Sequence, residues 1–150
     1  MEKLQKQKMQ DKEKKSAEAD FSGKRILLVD DVMVNRQIAK KLLERSGFTV
    51  EEADDGSIAV GMIEAVSPGY YDLVLMDIQM PVMDGYEATR VIRNLPDKGR
   101  ASVPIIAMTA NAFSEDIKKA SEAGMNGHIA KPIDVKVMLE VLSEILYGKY

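Results

Sequence analysis

Short apolar runs alternate along this chain with longer segments whose apolar residues recur three or four positions apart. The runs match buried strands, and the longer segments match amphipathic helices. Strands are predicted over residues 25–29, 49–53, 73–77, 104–108 and 127–130. Helices are predicted over residues 34–46, 57–66, 86–94, 114–124 and 135–147. The pattern therefore indicates five consecutive strand–helix units.

Such an alternation is typical of an α/β fold of the (βα)5 type, in which a parallel sheet is covered by helices on both faces. Right-handed crossovers limit the topology to a few arrangements, and the flavodoxin-like strand order 2-1-3-4-5 is the natural one for five strands. In this order the first and third strands are neighbours, and the carboxyl ends of the strands share one edge. Ligands bind at that edge in open parallel sheets.

Polar residues stand at the carboxyl ends of four predicted strands. Asp30 and Asp31 follow the first strand, Asp77 ends the third, Thr109 follows the fourth and Lys131 follows the fifth. Three neighbouring carboxylates repel one another unless a cation lies between them, and Mg²⁺ prefers one or two carboxylates together with water. A carboxylate can attack phosphorus, and an ammonium and a hydroxyl can bind phosphoryl oxygens. This edge therefore favours divalent-metal and phosphate chemistry.

Composition narrows the choice of metal and the class of protein. The 150 residues include no cysteine and a single histidine, His128, which excludes disulfides, thiolate sites and multi-histidine zinc sites within one chain. Mg²⁺ is favoured, with Mn²⁺ as an alternative. The net charge of −3 gives no indication of nucleic-acid binding. No apolar run approaches the roughly 18 residues of a membrane span.

Residues 1–22 differ from the rest of the chain because they are rich in Lys, Glu and Gln and poor in large apolar residues. We interpret them as a flexible charged linker or tail, with the end of a helix from an upstream domain as the alternative. Residues 23–150 are predicted to form one domain.

Several motifs resemble the receiver domain of two-component response regulators. They occur in the family's order and spacing: Val-Asp-Asp at 29–31, Asp-Ile-Gln-Met-Pro at 77–81, Met-Asp-Gly at 83–85, Met-Thr-Ala at 108–110 and Lys-Pro at 131–132. The resemblance covers residues 24–147, and the combination is far more specific than any one motif.

The resemblance implies that Asp77 accepts a phosphoryl group from a phosphohistidine of a partner protein, either a histidine kinase domain or a histidine phosphotransfer protein. It implies that Asp31 binds Mg²⁺ directly and Asp30 mainly through water, with Asp77 and the backbone carbonyl of Gln79 as further ligands. This phosphoacceptor domain would catalyse only its own phosphorylation and dephosphorylation, and phosphorylation would switch its interactions with partners.

The resemblance also implies that Lys131 pairs with the phosphoryl group and that Thr109 hydrogen-bonds to it and moves inward. The Lys131–Pro132 peptide bond is expected to be cis. At position 128 the family usually has Tyr or Phe, which turns inward with the threonine. His128 is smaller, polar and titratable, so it is interpreted either as a packing residue or as the switch.

Gln79 and Asn111 lie two positions after Asp77 and Thr109, at positions that help to set the acyl-phosphate lifetime in the family. Because neither residue is an acid that could orient the attacking water, the predicted half-life is longer than seconds. Asn35-Arg36 and the segments 108–112 and 124–132 are most similar to receivers of hybrid sensor histidine kinases. No glycine-rich ATP-binding segment is present in this chain.

Other functions stay open from the sequence. One is a stand-alone response regulator consisting of a receiver domain, and another is a magnesium phosphohydrolase with an aspartyl nucleophile, which usually needs a second acid beside the nucleophile. A degenerate receiver used only for protein interactions is a third, although all five expected polar positions are filled. The chain is expected to be cytoplasmic, whether or not a parent protein is membrane-anchored, and to be a monomer or a weak dimer without bound nucleic acid.

Overall fold

The five strands form where the chain is most continuously apolar. A computed structural model describes residues 20–110 and 114–148. The strands are β1 (Arg25–Val29), β2 (Thr49–Ala53), β3 (Leu73–Asp77), β4 (Ile105–Thr109) and β5 (Gly127–Ala130). All pair in parallel in the order β2-β1-β3-β4-β5, which confirms the predicted flavodoxin-like topology. The predicted linker up to residue 19, and Asn111, lie outside the described residues.

The helices connect the strands, and the five predicted ones begin and end within two residues of the predicted positions. They are α1 (Met33–Arg45), α2 (Gly56–Glu64), α3 (Gly85–Arg93), α4 (Lys98–Ala101), α5 (Ser114–Ala123) and α6 (Val135–Tyr147). The four-residue α4 was not predicted, because Pro96 and Gly99 indicated a loop. Asp97 caps it by accepting a hydrogen bond from the Arg100 backbone N–H, as short polar side chains do at helix starts.

The sheet has an apolar core on each face. Side chains alternate between the faces of a strand, so Leu27 and Val29 pack in one core while Ile26 and Leu28 pack in the other. The first core includes residues of α2, α3 and α5, and the second includes residues of α1 and α6. Because β1, β3 and β4 are buried on both faces, the rigid centre of the sheet fixes the carboxyl edge where the polar residues lie.

Helix α1 is less buried than its sequence pattern predicted. Ala39 and Leu43 face the core, whereas Ile38, although it lies at helical spacing from Leu42 in the sequence, is 54% exposed. Val32, Met33 and Val34 are also exposed. The start of α1 therefore presents an apolar surface to solvent, which we call the α1 apolar patch (Val32, Met33, Val34 and Ile38).

Phe21 packs with the domain although the predicted linker extends to residue 22. It is 1% exposed and stacks on Phe48, with the ring centroids 4.4 Å apart. The ring of Tyr147, at the end of α6, lies 6.0 Å from the Phe21 ring. The aromatic contact holds the segment before β1 against the second core, so the packing of the domain includes Phe21.

The loop after β3 is held close to the strand it leaves. The Asp84 carboxylate caps α3 by accepting from the Glu87 N–H, and the Gly85 N–H donates to the Ile78 carbonyl. A Cβ atom on Gly85 would overlap the carbonyl oxygen of Asp77. Glycine is therefore required at position 85 for α3 to begin directly beside Asp77.

Candidate functional site

The site lies at the carboxyl ends of β1, β3, β4 and β5. Asp77 is the last residue of β3 and Thr109 the last residue of β4, while Asp30 and Lys131 directly follow β1 and β5. Asp30, Asp77 and Thr109 are each at most 6% exposed. The parallel register thus brings together polar side chains from four separate parts of the sequence, as the strand-end pattern predicted.

Three carboxylates lie close together, and one ammonium group contacts two of them. Oxygens of Asp30, Asp31 and Asp77 all lie within 4.8 Å of one another. Lys131 Nζ lies 3.1 Å from Asp30 Oδ2 and 3.3 Å from Asp77 Oδ1. Of this group Asp31 alone is exposed. The cluster is therefore a mostly buried set of oxygens in which negative charge exceeds positive charge.

Burial raises the pKa of the Asp77 carboxyl to about 6. The ammonium of Lys131 opposes this rise, the carboxylate of Asp30 adds to it, and the backbone N–H of Gln79 opposes it by donating to Asp77. For Lys131, burial alone would lower the pKa of the ammonium, but the carboxylates of Asp77 and Asp30 outweigh burial and raise it. The two directions agree, because the carboxylate of Asp77 and the ammonium of Lys131 each favour the charged form of the other, while burial opposes both charged forms.

A pocket of about 250 Å³ opens onto this cluster. It is lined by Asp31, Val32, Asp77, Ile78, Gln79, Met108, Thr109, Ala110, Asp116 and Lys131. Its volume is sufficient for a phosphoryl group with several waters. Carboxylates, a hydroxyl and an ammonium therefore meet in a space of suitable size for a small anion and a cation.

The donor set fits a hard divalent cation. Mg²⁺ is held in proteins by one or two carboxylates and keeps several waters, and the cluster offers one exposed and two buried carboxylates beside an open pocket. Burial is the main cause of the raised pKa of Asp77, and the carboxylate of Asp30 adds to it, so a cation bound beside these carboxylates would favour the ionised form of Asp77. Asp30, Asp31 and Asp77 are the residues that would hold the ion.

Two residues near the site were not predicted to have roles. Asp116, in the first turn of α5, lines the same pocket as Asp77 and Lys131. Arg36, on α1, donates from Nη1 to the carbonyl oxygen of Asp30 at 2.7 Å. The sequence showed Arg36 as part of a motif, but nothing in it indicated that either side chain reaches the acidic cluster.

Of the other predicted site residues, Gln79 lies at the pocket and His128 lies outside its lining. Gln79 lines the pocket and is exposed, so its predicted place beside Asp77 agrees with the geometry. His128 lies within β5, is partly exposed and pairs in register with Ala107, and it is not among the residues that line the pocket. The Lys131–Pro132 bond is cis, as expected.

The backbone of the loop after Asp77 is strained at one residue. Val82 has a φ of 69° and is 85% exposed, and the Met83 N–H donates to the Pro81 carbonyl across it. A positive φ is unfavourable for a β-branched residue, and such strain concentrates in functional loops. The tight turn at Val82 keeps this loop beside the pocket.

Comparison with known proteins identifies the family of the domain. The family model for the response regulator receiver domain matches residues 26–143. The chain is 41% identical over 140 residues to "Probable histidine kinase 2" of Oryza sativa subsp. indica and 43% identical over 140 residues to "Hybrid signal transduction histidine kinase B" of Dictyostelium discoideum. Each match covers 86% of this chain, but 13% and 7% of those two relatives. The chain thus spans a small part of these longer proteins.

Solved structures agree with this assignment. The receiver domain of a sensor histidine kinase from Pseudomonas aeruginosa PAO1, with a magnesium ion coordinated in its active-site cleft, is 41% identical, with a TM-score of 0.74. The match covers 83% of this chain and 98% of that one. The Saccharomyces cerevisiae receiver domain of Ssk1, solved in complex with the histidine phosphotransfer protein Ypd1, matches at 27% identity and a TM-score of 0.73, covering 82% of this chain and 88% of the matched one. The chain belongs to the response regulator receiver domain family, whose fold it shares.

Proposed function

We propose that this receiver domain accepts a phosphoryl group on Asp77 in a phosphorelay. The observation that carries the proposal is the buried carboxylate of Asp77 beside two further carboxylates and 3.3 Å from Lys131 Nζ, in a pocket open to solvent. A carboxylate in this position attacks phosphorus and forms an acyl phosphate. The leaving group departs towards solvent, on the side of phosphorus opposite the attacking oxygen.

The neighbouring residues have separate tasks in this reaction. Lys131 stabilises the negative oxygens of the transferred group, since the positive charge of its ammonium acts more strongly in a partly buried site than in water. The hydroxyl of Thr109 donates to another of these oxygens and moves inward as it does so. His128, on β5, either follows this movement as the switch residue or serves only in packing.

Asp30, Asp31, Asp77 and the backbone carbonyl of Gln79 hold a Mg²⁺ ion, with Mn²⁺ as a substitute. The ion neutralises the charge that develops on the transferred phosphoryl group. Without it, three carboxylates would repel the incoming group, and Lys131 supplies a single opposing charge. Phosphorylation is therefore expected to depend on a divalent cation.

The phosphoryl donor is a phosphohistidine on a histidine kinase domain or a histidine phosphotransfer protein. The α1 apolar patch supports this partner, because Val32 belongs both to the patch and to the lining of the pocket. A protein that docks on the patch brings its histidine to the mouth of the pocket. A hybrid sensor histidine kinase is the parent protein we favour, because the chain resembles short parts of such proteins.

The test is incubation of the chain with acetyl phosphate and Mg²⁺, followed by intact-mass measurement. Wild-type protein is expected to gain the mass of one phosphoryl group, and Asp77→Asn and protein in EDTA are expected to gain none. Asp84→Asn is the matched control, because Asp84 is a nearby helix cap that asparagine can replace. A folded wild-type chain that gains no mass contradicts the proposal.

A second arm of the same experiment uses a phosphorylated histidine phosphotransfer protein as the donor. Ile38→Glu places a charge in the α1 apolar patch, away from the pocket lining, so transfer from the protein is expected to slow while labelling by acetyl phosphate stays unchanged. Equal transfer rates for wild type and Ile38→Glu would exclude the patch as the docking surface but leave Asp77 as the phosphoacceptor.

A further inference from the structure

The loop that carries Asp30 and Asp31 is fixed by several contacts. The Asp30 N–H donates to the Ala53 carbonyl at the end of β2. Both side-chain oxygens of Asp30 are engaged, since Oδ1 accepts from the Val32 N–H at 2.9 Å and Oδ2 accepts from Lys131 Nζ at 3.1 Å. The position of Asp30 therefore determines where the carboxylates of this loop lie relative to Asp77.

Arg36 holds this loop from the side of α1. Its Nη1 donates to the carbonyl oxygen of Asp30 at 2.7 Å, and its side chain is 15% exposed. A hydrogen bond from a charged donor is stronger than one between neutral groups. Because Arg36 lies one turn into α1, the contact joins the helix to the residue that begins the acidic loop.

Arg36 is itself held from β2. Its Nε lies 3.4 Å from Glu52 Oε1, close enough for an ion pair but without a hydrogen bond from this nitrogen. Lys40 Nζ lies 3.6 Å from Glu52 Oε2. Glu52 thus balances part of the positive charge of Arg36 and restricts the guanidinium to the side of the loop.

We propose that Arg36 is a positioning residue for the divalent-cation site, which it acts on through the backbone of Asp30 and with the support of Glu52. The inference rests on the proposed function of the acidic cluster as a Mg²⁺ site. Groups that orient metal ligands, without touching the metal, typically change metal affinity by about 10-fold to 100-fold when they are removed. The guanidinium also carries a positive charge. If its only effect were to repel the cation, its removal would tighten Mg²⁺ binding instead of weakening it.

The experiment measures the Mg²⁺ dissociation constant of the unphosphorylated full chain by isothermal titration calorimetry. Arg36→Met is expected to weaken Mg²⁺ binding by about 10-fold, and Arg36→Lys by less, because lysine retains a charged donor but lacks the forked guanidinium. Glu52→Gln is expected to weaken binding to an intermediate extent. Lys40→Met is the matched control, since Lys40 pairs with Glu52 rather than with Asp30, and the Mg²⁺ affinity of this variant is expected to stay within about twofold of wild type.

Thermal unfolding of each variant in EDTA separates positioning from general stability. A positioning role requires that Mg²⁺ affinity falls in Arg36→Met and is partly restored in Arg36→Lys. Unchanged or tighter Mg²⁺ binding by a folded Arg36→Met variant would overturn the proposal. If that variant does not fold, an unchanged Mg²⁺ affinity in Glu52→Gln would overturn it instead. Wild-type protein that binds no Mg²⁺ would instead overturn the proposed metal site together with this inference.

Discussion

Two clusters of charged residues lie near opposite ends of the same strands, and they differ in how fully their charges are compensated. The amino-edge cluster, near the starts of β1 and β3, consists of Lys24, Arg25, Glu51, Tyr70, Tyr71 and Asp72. The carboxyl-edge cluster is the candidate site of Asp30, Asp31, Asp77 and Lys131. The first has two cationic and two acidic side chains, whereas the second has one cationic and three acidic side chains.

The charges of the amino-edge cluster are paired within it, although the buried Arg25 Nε makes no hydrogen bond. Glu51 accepts hydrogen bonds from the hydroxyls of Tyr70 and Tyr71 at 2.6 Å and 2.9 Å and lies 3.5 Å from Arg25 Nε. The guanidinium of Arg25 also lies 3.9 Å from the centre of the Tyr70 ring. Asp72 accepts from the Arg25 backbone N–H at 2.8 Å. This arrangement needs no further ligand, and we interpret it as structural.

The carboxyl-edge cluster has an excess of acid. Its one ammonium contacts two carboxylates, and the pKa of the Asp77 carboxyl is nevertheless raised to about 6. A cluster of charged residues therefore does not by itself identify a binding site. An uncompensated charge beside an open pocket indicates one, because that charge opposes folding until a ligand binds.

The largest expected effect is a pH-dependent gain in stability when Asp77 is made neutral. The pKa of Asp77 is about 6 in the folded protein and 3.8 for the unperturbed group, so the folded state binds this proton more tightly than the unfolded state. The stability that protonated Asp77 gives is therefore present below about pH 4 and is lost as the pH rises through 6. Relative to wild type, Asp77→Asn should gain about 2 kcal/mol between pH 4 and pH 7.

Urea unfolding of both proteins at a series of pH values in metal-free buffer checks this prediction. Subtracting one curve from the other removes the titration of the remaining groups. Addition of Mg²⁺ at pH 7 should reduce the difference, because the ion stabilises the folded wild type by binding to it. A difference that is constant from pH 4 to pH 7 would show that the charge on Asp77 is already compensated.

A smaller loss of stability, independent of Mg²⁺, is expected when the amino-edge cluster is altered. Glu51→Gln leaves one acceptor oxygen for two tyrosine hydroxyls and directs an amide donor at the other. The free energy of unfolding should fall by about 1–2 kcal/mol. The same loss should be measured in EDTA and in Mg²⁺, and a loss that depends on Mg²⁺ would break the distinction between the two clusters.

The sequence was sufficient for those features that depend on local pattern. The bounds of β1, β2, β3, β5 and α6 were predicted to the residue. Charged residues or glycine stand at or next to most of these bounds and mark where each element begins or ends. The meeting of Asp30, Asp31 and Asp77 followed from the strand order, since parallel strands end at one edge. The orientation of α1 did not follow, because the rotation that buries Ala39 and exposes Ile38 is set by packing against the sheet.

Contacts between elements that are distant in the sequence could not be predicted from the sequence pattern either. The hydrogen bond from Arg36 to Asp30 depends on how α1 crosses β1 and β2. In the sequence, Asp116 stands in the first turn of a helix, where an acidic side chain interacts favourably with the helix dipole. Its place in the lining of the Asp77 pocket depends on how α5 packs beside β5 and α3.

Asp116 leads to the smallest predicted effect, on the lifetime of the acyl phosphate at Asp77. Hydrolysis forms a bond from a water oxygen to phosphorus, breaks the bond from phosphorus to the Asp77 oxygen, and releases a proton. A carboxylate that lines the pocket can accept this proton. Because Asp116 is half-buried rather than enclosed, we expect Asp116→Asn to lengthen the half-life by about fivefold, well below the effect of an optimally placed base.

The matched control is Glu115→Gln, which removes the same charge from the same turn of α5 at an exposed position outside the pocket lining. Protein labelled with acetyl phosphate is freed of donor, and loss of the phosphoryl mass is followed over time. Equal half-lives for the two variants would mean that charge near α5, rather than a proton acceptor in the pocket, affects hydrolysis. A wild-type half-life that already exceeds that of Asp116→Asn would leave Gln79 and Asn111 as the residues that set it. The carboxyl edge would then lack a fourth acid that acts on its phosphoryl group, and its chemistry would be confined to the three carboxylates and Lys131.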